Sequence, residues 1–476
     1  MPIVLNQYPL WSISAHQGAQ PIGQQIIYSV TNNDILTTHH NVKYLATVYV
    51  SPYAINTTAM PPIGTFKTTP NNAGAGIFDL RPVLETFLKS DNLGSTLGNG
   101  SRYKQTETTI PIHLIDQCSQ SDNSIKYVGI IFSSEGSTTP TGTVEGLGDD
   151  FSVPQFTFFN GVLQHDDVLE TNGLGSYGYN LQTNRLMTSS PDTEESFLSN
   201  SPTTQYANLE DYGTFAFLQF MPEATNMVLD IEIKYYSSAG GSPIGTENRD
   251  INWTTGAATT LGDSNTQLIY AGLFPGNLRN KSTIFNSLIT AGTIQGGYYT
   301  IQAKTENASA QKLYTIQLNC PSGLGYQPIR LTWLNQWGVW DYYTFTQKSV
   351  KSISTNRTPY TQMSGTWNET SLEINSYQGG RKNFRVNTSE RIKMNTDFVT
   401  EAEGVWLEEL INSPEVYILN GFDGTEVAPY NSITNKYVEP VTLTTSSYTK
   451  KTRANDKLMQ YTIEVERSKN RRTQAV

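Results

Sequence analysis

Apolar and polar side chains alternate with a period of two at both ends of this chain. Near the start, Tyr44, Ala46, Val48 and Val50 interleave with Lys43, Thr47 and Tyr49. Near the end, Met459, Tyr461, Ile463 and Val465 interleave with Gln460, Thr462, Glu464 and Glu466. Successive side chains of a strand point to opposite faces, so such a pattern buries one face of a sheet and wets the other. Further strand-like runs are Gln25–Val30, Ile125–Phe132, Met227–Tyr236, Tyr298–Ala303, Leu313–Leu318, Ile329–Leu334, Tyr342–Thr346 and Val416–Leu419. Turns rich in Gly, Asn, Pro, Ser and Thr separate them at short intervals, which favours sandwiches over a parallel α/β sheet. Helical signals are few. The run Asp79–Leu88 sets Val83 with Phe87 and Leu84 with Leu88, with Asp79 as its expected cap, and Thr400–Ile411 carries a capping-box spacing at Thr400 and Glu403 before Pro414. The expected fold is mainly β: several sandwich-like β domains with few short helices, the carboxy-terminal one β-rich with one helix.

At 476 residues the chain is long enough for two to four domains. A Gly/Thr/Ser/Pro-rich stretch, Ser133–Gly148, reads as a loop or linker closing a first β domain over residues 1–150. Residues 151–205 read as a long polar loop or linker region, with Thr171–Thr204 its least apolar part. A central sandwich-like domain is expected over 206–320 and a carboxy-terminal β-rich domain over 321–476. Met1–Leu5 lacks the basic start and apolar core of a secretory leader, and no run of about 18 apolar residues is present. The expectation is a protein kept in a cytoplasm, off the membrane. Asn-x-Ser/Thr triplets such as those at Asn56 and Asn387 are then products of an Asn/Thr-rich composition. Two cysteines, Cys118 and Cys320, make neither a disulfide framework nor a thiolate metal site.

The net charge is −10 and its distribution is uneven: residues 1–320 carry 14 basic and 26 acidic side chains, the remainder 18 and 16. An acidic body argues against nucleic acid as the main partner. Only 16% of residues are charged while tyrosine is abundant, as on surfaces that bury against other subunits or bind neutral polar partners.

Motifs for chemistry are scarce. Gly173, Gly175 and Gly178 fit the dinucleotide-loop spacing but lack a preceding strand and a following helix. The pairs Asp149/Asp150, Asp166/Asp167 and Glu408/Glu409 are sequence neighbours, and such carboxylates rarely face each other across a substrate. His16, His39, His40, His113 and His165 show no metal-ligand spacing, and no serine sits in a nucleophile elbow. No catalytic, cofactor-binding or metal-binding residue is assigned, and no cofactor is expected. The basic stretches Lys450–Arg453 and Arg467–Arg472 read as exposed ends meeting acidic neighbours of an assembly. The most specific local feature is aromatic: Trp333, Trp337, Trp340, Tyr342, Tyr343 and Phe345 crowd around Gly338. These rings read as core or subunit interface, with a sugar-stacking platform as the alternative.

The segment Ile329-Arg-Leu-Thr-Trp-Leu-Asn-Gln-Trp-Gly-Val-Trp-Asp-Tyr-Tyr-Thr-Phe345 resembles structural proteins of tailed bacteriophages, especially crAss-like and related Bacteroidetes or marine phages. So do Leu410-Ile-Asn-Ser-Pro-Glu-Val-Tyr417, Pro440-Val-Thr-Leu-Thr-Thr-Ser-Ser-Tyr448 and Tyr461-Thr-Ile-Glu-Val-Glu466. His40-Asn-Val-Lys-Tyr44 and Gly76-Ile-Phe-Asp-Leu-Arg-Pro82 are similar more loosely, and the middle of the chain carries no resemblance. The resemblance implies a non-enzymatic structural virion protein, a homo-oligomeric subunit repeated in a ring or tube of the tail or neck and assembled in the host cytoplasm. Its partners would be copies of itself and other virion proteins, with a host surface glycan as a further candidate. A carbohydrate-binding adhesin of the receptor-binding kind and a polysaccharide-cleaving enzyme are the alternatives.

Overall fold

The computed structural model describes residues 3–7, 9, 19–52, 55–92, 111–115, 118–120, 123–162, 197–219, 228–250, 267–305, 312–319, 325–367, 369–420, 437–445 and 459–469. It is mainly β: among the described residues 48% are strand and 13% helix, and the strands form five sheets. The described residues fall into two compact units. One holds those up to Pro321 together with Leu334–Tyr342; the other holds those of Ser322–Trp333, Tyr343–Asn420 and Lys436–Val476.

The first unit begins with strands β1 (Val4–Gln7), β2 (Ala19–Pro21), β3 (Ile27–Thr31), β4 (His40–Ser51), β5 (Gly64–Thr68), β6 (Ala75–Asp79), β7 (Cys118–Gln120), β8 (Ile125–Ser137), β9 (Glu145–Gly146) and β10 (Phe151–Phe159). A three-stranded sheet in the order β1-β3-β6 faces a larger one in the order β2-β10-β8-β4-β5, with β9 on β8. The alternation seen in the sequence builds the core between them. Tyr28, Val30 and Phe78 from one sheet meet Tyr44, Ala46, Val48, Ile130, Phe132 and Phe156 from the other. Tyr28 sits 5.7 Å from Phe132 and 6.1 Å from Phe156, edge-on in the second case, a favoured aromatic geometry.

The structure departs from two local expectations. Ser133–Gly148, expected as a loop or linker, is strand at Ser133–Ser137 and Glu145–Gly146 and loop between them. β8 runs on to Ser137, pairing Ser134 with Tyr44 and Ser137 with His40, and β9 returns against Glu135 and Gly136. Small polar residues hold that ladder because Asp149 accepts from the Ser134 amide (2.9 Å) and hydroxyl (2.6 Å). The helix expected over Asp79–Leu88 is shorter. Helix proper spans Arg81–Leu84, a 3₁₀ turn covers Glu85–Phe87, and Asp79 ends β6 with its carboxylate accepting from the amides of Arg81 and Ile26. The Lys89 amide donates to the Asn123 carbonyl at 3.1 Å, so the chain leaves helical geometry there.

The same unit continues with β11 (Thr204–Ala207), β12 (Thr214–Gln219), β13 (Val228–Tyr236), β14 (Gly245–Asp250), β15 (Gln267–Gly272), β16 (Tyr298–Thr305) and β17 (Tyr314–Leu318). Two sheets, β11-β17-β16-β13-β14 and β12-β15-β7, form a second layered pair. Phe215 of one lies 5.4 Å from Tyr314 of the other, and the Tyr299 hydroxyl donates to the Leu273 carbonyl at 2.8 Å. Two short helices, Pro275–Lys281 and Thr283–Thr290, add cover: Phe285 stacks on Tyr235 at 5.3 Å. The Gly173–Gly178 spacing, Asp166/Asp167, His16, His165, Cys320 and most of Thr171–Thr204 lie outside the described residues.

Strands β18 (Ile329–Leu334), β19 (Trp340–Phe345), β20 (Val350–Gln362), β21 (Gly380–Asn395), β22 (Val416–Leu419), β23 (Val438–Leu443) and β24 (Thr462–Arg467) make one sheet, ordered β19-β18-β22-β23-β24-β21-β20. A helix, Glu401–Asn412, supplies Trp406, Leu407 and Leu410 to a core with Leu331, Trp333, Ile392, Met394, Ile463 and Val465. Its start is the capping box legible in the sequence: Thr400 accepts from the Glu403 amide while the Glu403 carboxylate accepts from the Thr400 amide. The strand expected from Met459 begins instead at Thr462. Met459 exchanges backbone bonds with Val399, and Tyr461 accepts from the Thr396 amide.

Candidate interaction surface

The six aromatic residues around Gly338 divide between the two units, and within β19 the division follows strand parity. Trp333 is fully buried and lies 5.1 Å from Trp406; Tyr343 and Phe345 stand on the same side as each other, 4.9 Å apart, with Tyr343 6.2 Å from Trp406. Burial pushes the Tyr343 phenol well above its usual pKa and the nearby Glu403 adds to this, so the ring stays neutral. Trp337, Trp340 and Tyr342 belong to the first unit, where all three are buried. Trp340 donates to the Asp91 carbonyl at 2.6 Å, and Trp337 to the Asn200 side chain at 3.1 Å. The Tyr342 hydroxyl is hydrogen-bonded to His113 Nδ1 (2.9 Å) and to Thr214 (2.8 Å). Asn277 completes this buried network, donating to the carbonyls of His113 and Ile115 and accepting from the Gly213 amide. The rings of Trp333 and Phe345 are 0% and 1% exposed, so neither offers a face to a sugar.

Gly338 holds the turn at φ +72°, a conformation that L side chains rarely adopt. A Cβ built there would stand 1.6 Å from the Asn160 carbonyl oxygen. Asn335 shapes the same turn, its side-chain oxygen accepting from the amides of Trp337 and Val339.

Three of the described carboxylate and histidine candidates have packing or hydrogen-bond partners or a place on a helix. Asp149 accepts from Ser134 and Asn32, His113 is buried against Trp340 at 4.9 Å, and Glu408/Glu409 lie on the helix Glu401–Asn412. Among the described residues no group of three or more His, Cys, Asp or Glu is placed to hold a metal, and no helix is long and apolar enough to cross a membrane. Cys118 is buried. Lys450–Arg453 and Arg471–Arg472 lie outside the described residues. Arg467, expected to meet a neighbouring subunit, reaches Glu390 and Glu439 of its own chain at 3.8 and 3.6 Å.

The surface that sequence reasoning missed is the antiparallel pair β20–β21. β21 meets β24 only over Arg391–Asn395, whereas Thr355–Gln362 pairs with Gly380–Thr388 and with no third strand among the described residues. Eight residues at about 3.3 Å each make a ribbon roughly 25 Å long. Every residue of β20 from Val350 to Thr361 is exposed, on both faces. The register slips between Thr358 and Pro359, leaving Phe384 without an opposite residue and 61% exposed. Pro359, which has no amide to donate, sits at that slip on the edge strand.

The ribbon ends in a tip over residues 363–379 that is held together by its own bonds. The Thr366 amide donates to the Glu373 carbonyl, the Thr366 hydroxyl to the Ser371 carbonyl, and the Trp367 indole to the Ser364 carbonyl. Its apolar side chains point outward: Ile374 is 73% exposed, Tyr377 71% and Trp367 66%. Isolated apolar residues on a surface are ordinary, but a set of large ones gathered on one tip makes it a candidate interaction surface. No protein-family model matches the chain, and no curated protein matches it.

Proposed function

We propose that this chain is a non-enzymatic structural protein of a tailed-bacteriophage particle, a subunit repeated around a ring or along a tube of the tail or neck. The observation that carries this reading is the β20–β21 arm. A two-stranded ribbon wetted on both faces has little stability of its own, and large outward apolar residues cost solubility. Both features are explained when the arm is covered in an assembly. The resemblance of Ile329–Phe345 and Tyr461–Glu466 to tailed-phage structural proteins supports the same reading. So does a composition low in charge and rich in tyrosine.

A second reading has one observation of its own: Trp367 and Tyr377 are exposed rings of the kind that stack on sugars, which suits a carbohydrate-binding adhesin. Mass photometry of the purified chain, run beside a glycan-binding assay, separates the two. The structural reading expects discrete multiples of the 52.9 kDa chain. A chain that stays monomeric and is retained by glycan through Trp367 contradicts it.

A further inference from the structure

We propose that the stem of the β20–β21 arm, Thr355–Gln362 paired with Gly380–Thr388, enters the major groove of double-stranded DNA and sets basic side chains against the phosphates of both walls. This goes beyond the proposed function and does not rest on it.

Charge on the stem is of one sign. It carries Arg357, Arg381, Lys382 and Arg385 and no Asp or Glu, within a chain of net charge −10. Among the described residues none of the four makes an ion pair. Arg385 donates to the Asn387 side chain and Lys382 to the Tyr377 carbonyl, both neutral acceptors. Arg357, Arg381 and Arg385 are exposed. The stem is therefore a local polycation, complementary to a run of phosphates.

The register distributes these charges. Residues directly opposite in an antiparallel pair share a face, and successive residues of a strand alternate between faces. Arg357 is opposite Val386 and Thr361 is opposite Arg381, so Arg357 and Arg381 share one face. Thr358 is opposite Arg385 and Tyr360 is opposite Lys382, so these two cations stand on the other face. Docking on a protein surface would use one face of the ribbon. A groove has phosphates along both walls, and the major groove of B-DNA, about 12 Å wide, admits a two-stranded ribbon. Asn356, Asn383 and Asn387 stand among the cations, and amides of this kind bond the edge of adenine.

Two other polyanions fit less well. An anionic bilayer would meet the tip first, and residues 363–379 carry Glu369 and Glu373 but no Lys or Arg. The major groove of an RNA duplex is deep, narrow and closed to side chains. The net negative charge of the whole chain opposes phosphate, which confines the contact to the stem.

The test titrates the full chain into a short fluorescein-labelled DNA duplex, read by anisotropy between about 50 and 200 mM salt. Four phosphate contacts give a slope of about −3.6 in log K against log salt, a loss of roughly 150-fold across that range. Arg357→Gln with Arg381→Gln, and separately Lys382→Gln with Arg385→Gln, should each halve the slope to about −1.8 with melting unchanged. Absence of binding at the lowest salt overturns the inference, as does a wild-type slope in either double variant, which would make the contact one-sided or place it elsewhere. Equal affinity for an RNA duplex overturns the groove. Polyglutamate that competes as well as unlabelled duplex, charge for charge, assigns the stem to an acidic protein instead. Each of these failures leaves the repeated-subunit reading intact, because mass photometry reads that separately.

Discussion

Trp333→Ala removes the largest fully buried side chain of the second unit. The indole contributes about 250 Å² of buried area, or about 6 kcal/mol at about 25 cal/mol per Å². A realistic unfolded chain already hides part of that surface, which lowers the figure to about 4–5 kcal/mol. This agrees with the roughly 3–5 kcal/mol measured for Trp or Phe truncation in cores. Trp406 at 5.1 Å and the sheet residues Ile463 and Val465 would then line a hole that the helix Glu401–Asn412 can only partly close. For a unit of this size such a loss lowers its melting temperature by about 10–15 °C. Differential scanning calorimetry of wild type and variant measures it, with Trp367→Ala as the control. That indole is 66% exposed, so its loss should move melting within about 0.5 kcal/mol. A shift below about 3 °C for Trp333→Ala, or equal shifts for the two variants, would refute the assignment of Trp333 to the core.

Gly338→Ala forces a side chain into the Asn160 carbonyl at positive φ, so it should destabilise the first unit by several kcal/mol, at least the roughly 1–3 kcal/mol typical of left-handed strain, read by calorimetry. Asp149→Asn replaces a carboxylate that takes bonds from Ser134 and Asn32, so it should cost about 1–3 kcal/mol in urea unfolding. Asp150→Asn should be nearly silent, and neither change should remove a hydrolytic activity. Burial would raise the Glu232 pKa, but hydrogen bonds from Lys234 and Lys304 outweigh it and hold the carboxyl below its usual 4.5. A depressed carboxylate stabilises above its unfolded pKa, and that contribution is lost as pH falls below about 4.5. Glu232→Gln should therefore flatten the acid limb of the stability profile while leaving its neutral-to-alkaline limb unchanged in slope.

Much of the sheet framework was legible because one face of each strand is buried. Tyr44, Ala46 and Val48 announce β4, and Ile329–Leu334 and Val416–Leu419 coincide with β18 and β22. The capping box at Thr400 was legible because Ser/Thr and Glu at that spacing satisfy each other's amides. The arm was not legible for the converse reason: exposed on both faces, Val350–Gln362 has no apolar period to read, and only its Ser/Thr content and the Gly379–Gly380 pair hint at a hairpin. Short strands such as Cys118–Gln120 take their place from distant partners, here β15, and three residues carry no pattern. The aromatic run around Gly338 reads as one cluster in sequence. Period-2 parity in β19 parts Trp340 and Tyr342 from Tyr343 and Phe345, and that signal was available.

Quantitative mass spectrometry of purified virions from a phage that encodes this chain shows whether it is a repeated structural subunit of the particle. Peptides of this chain are expected at several copies per particle, in a fixed ratio to the other tail or neck components, and retained after washing at high salt. Absence of the chain from intact, infectious particles would contradict the proposed role.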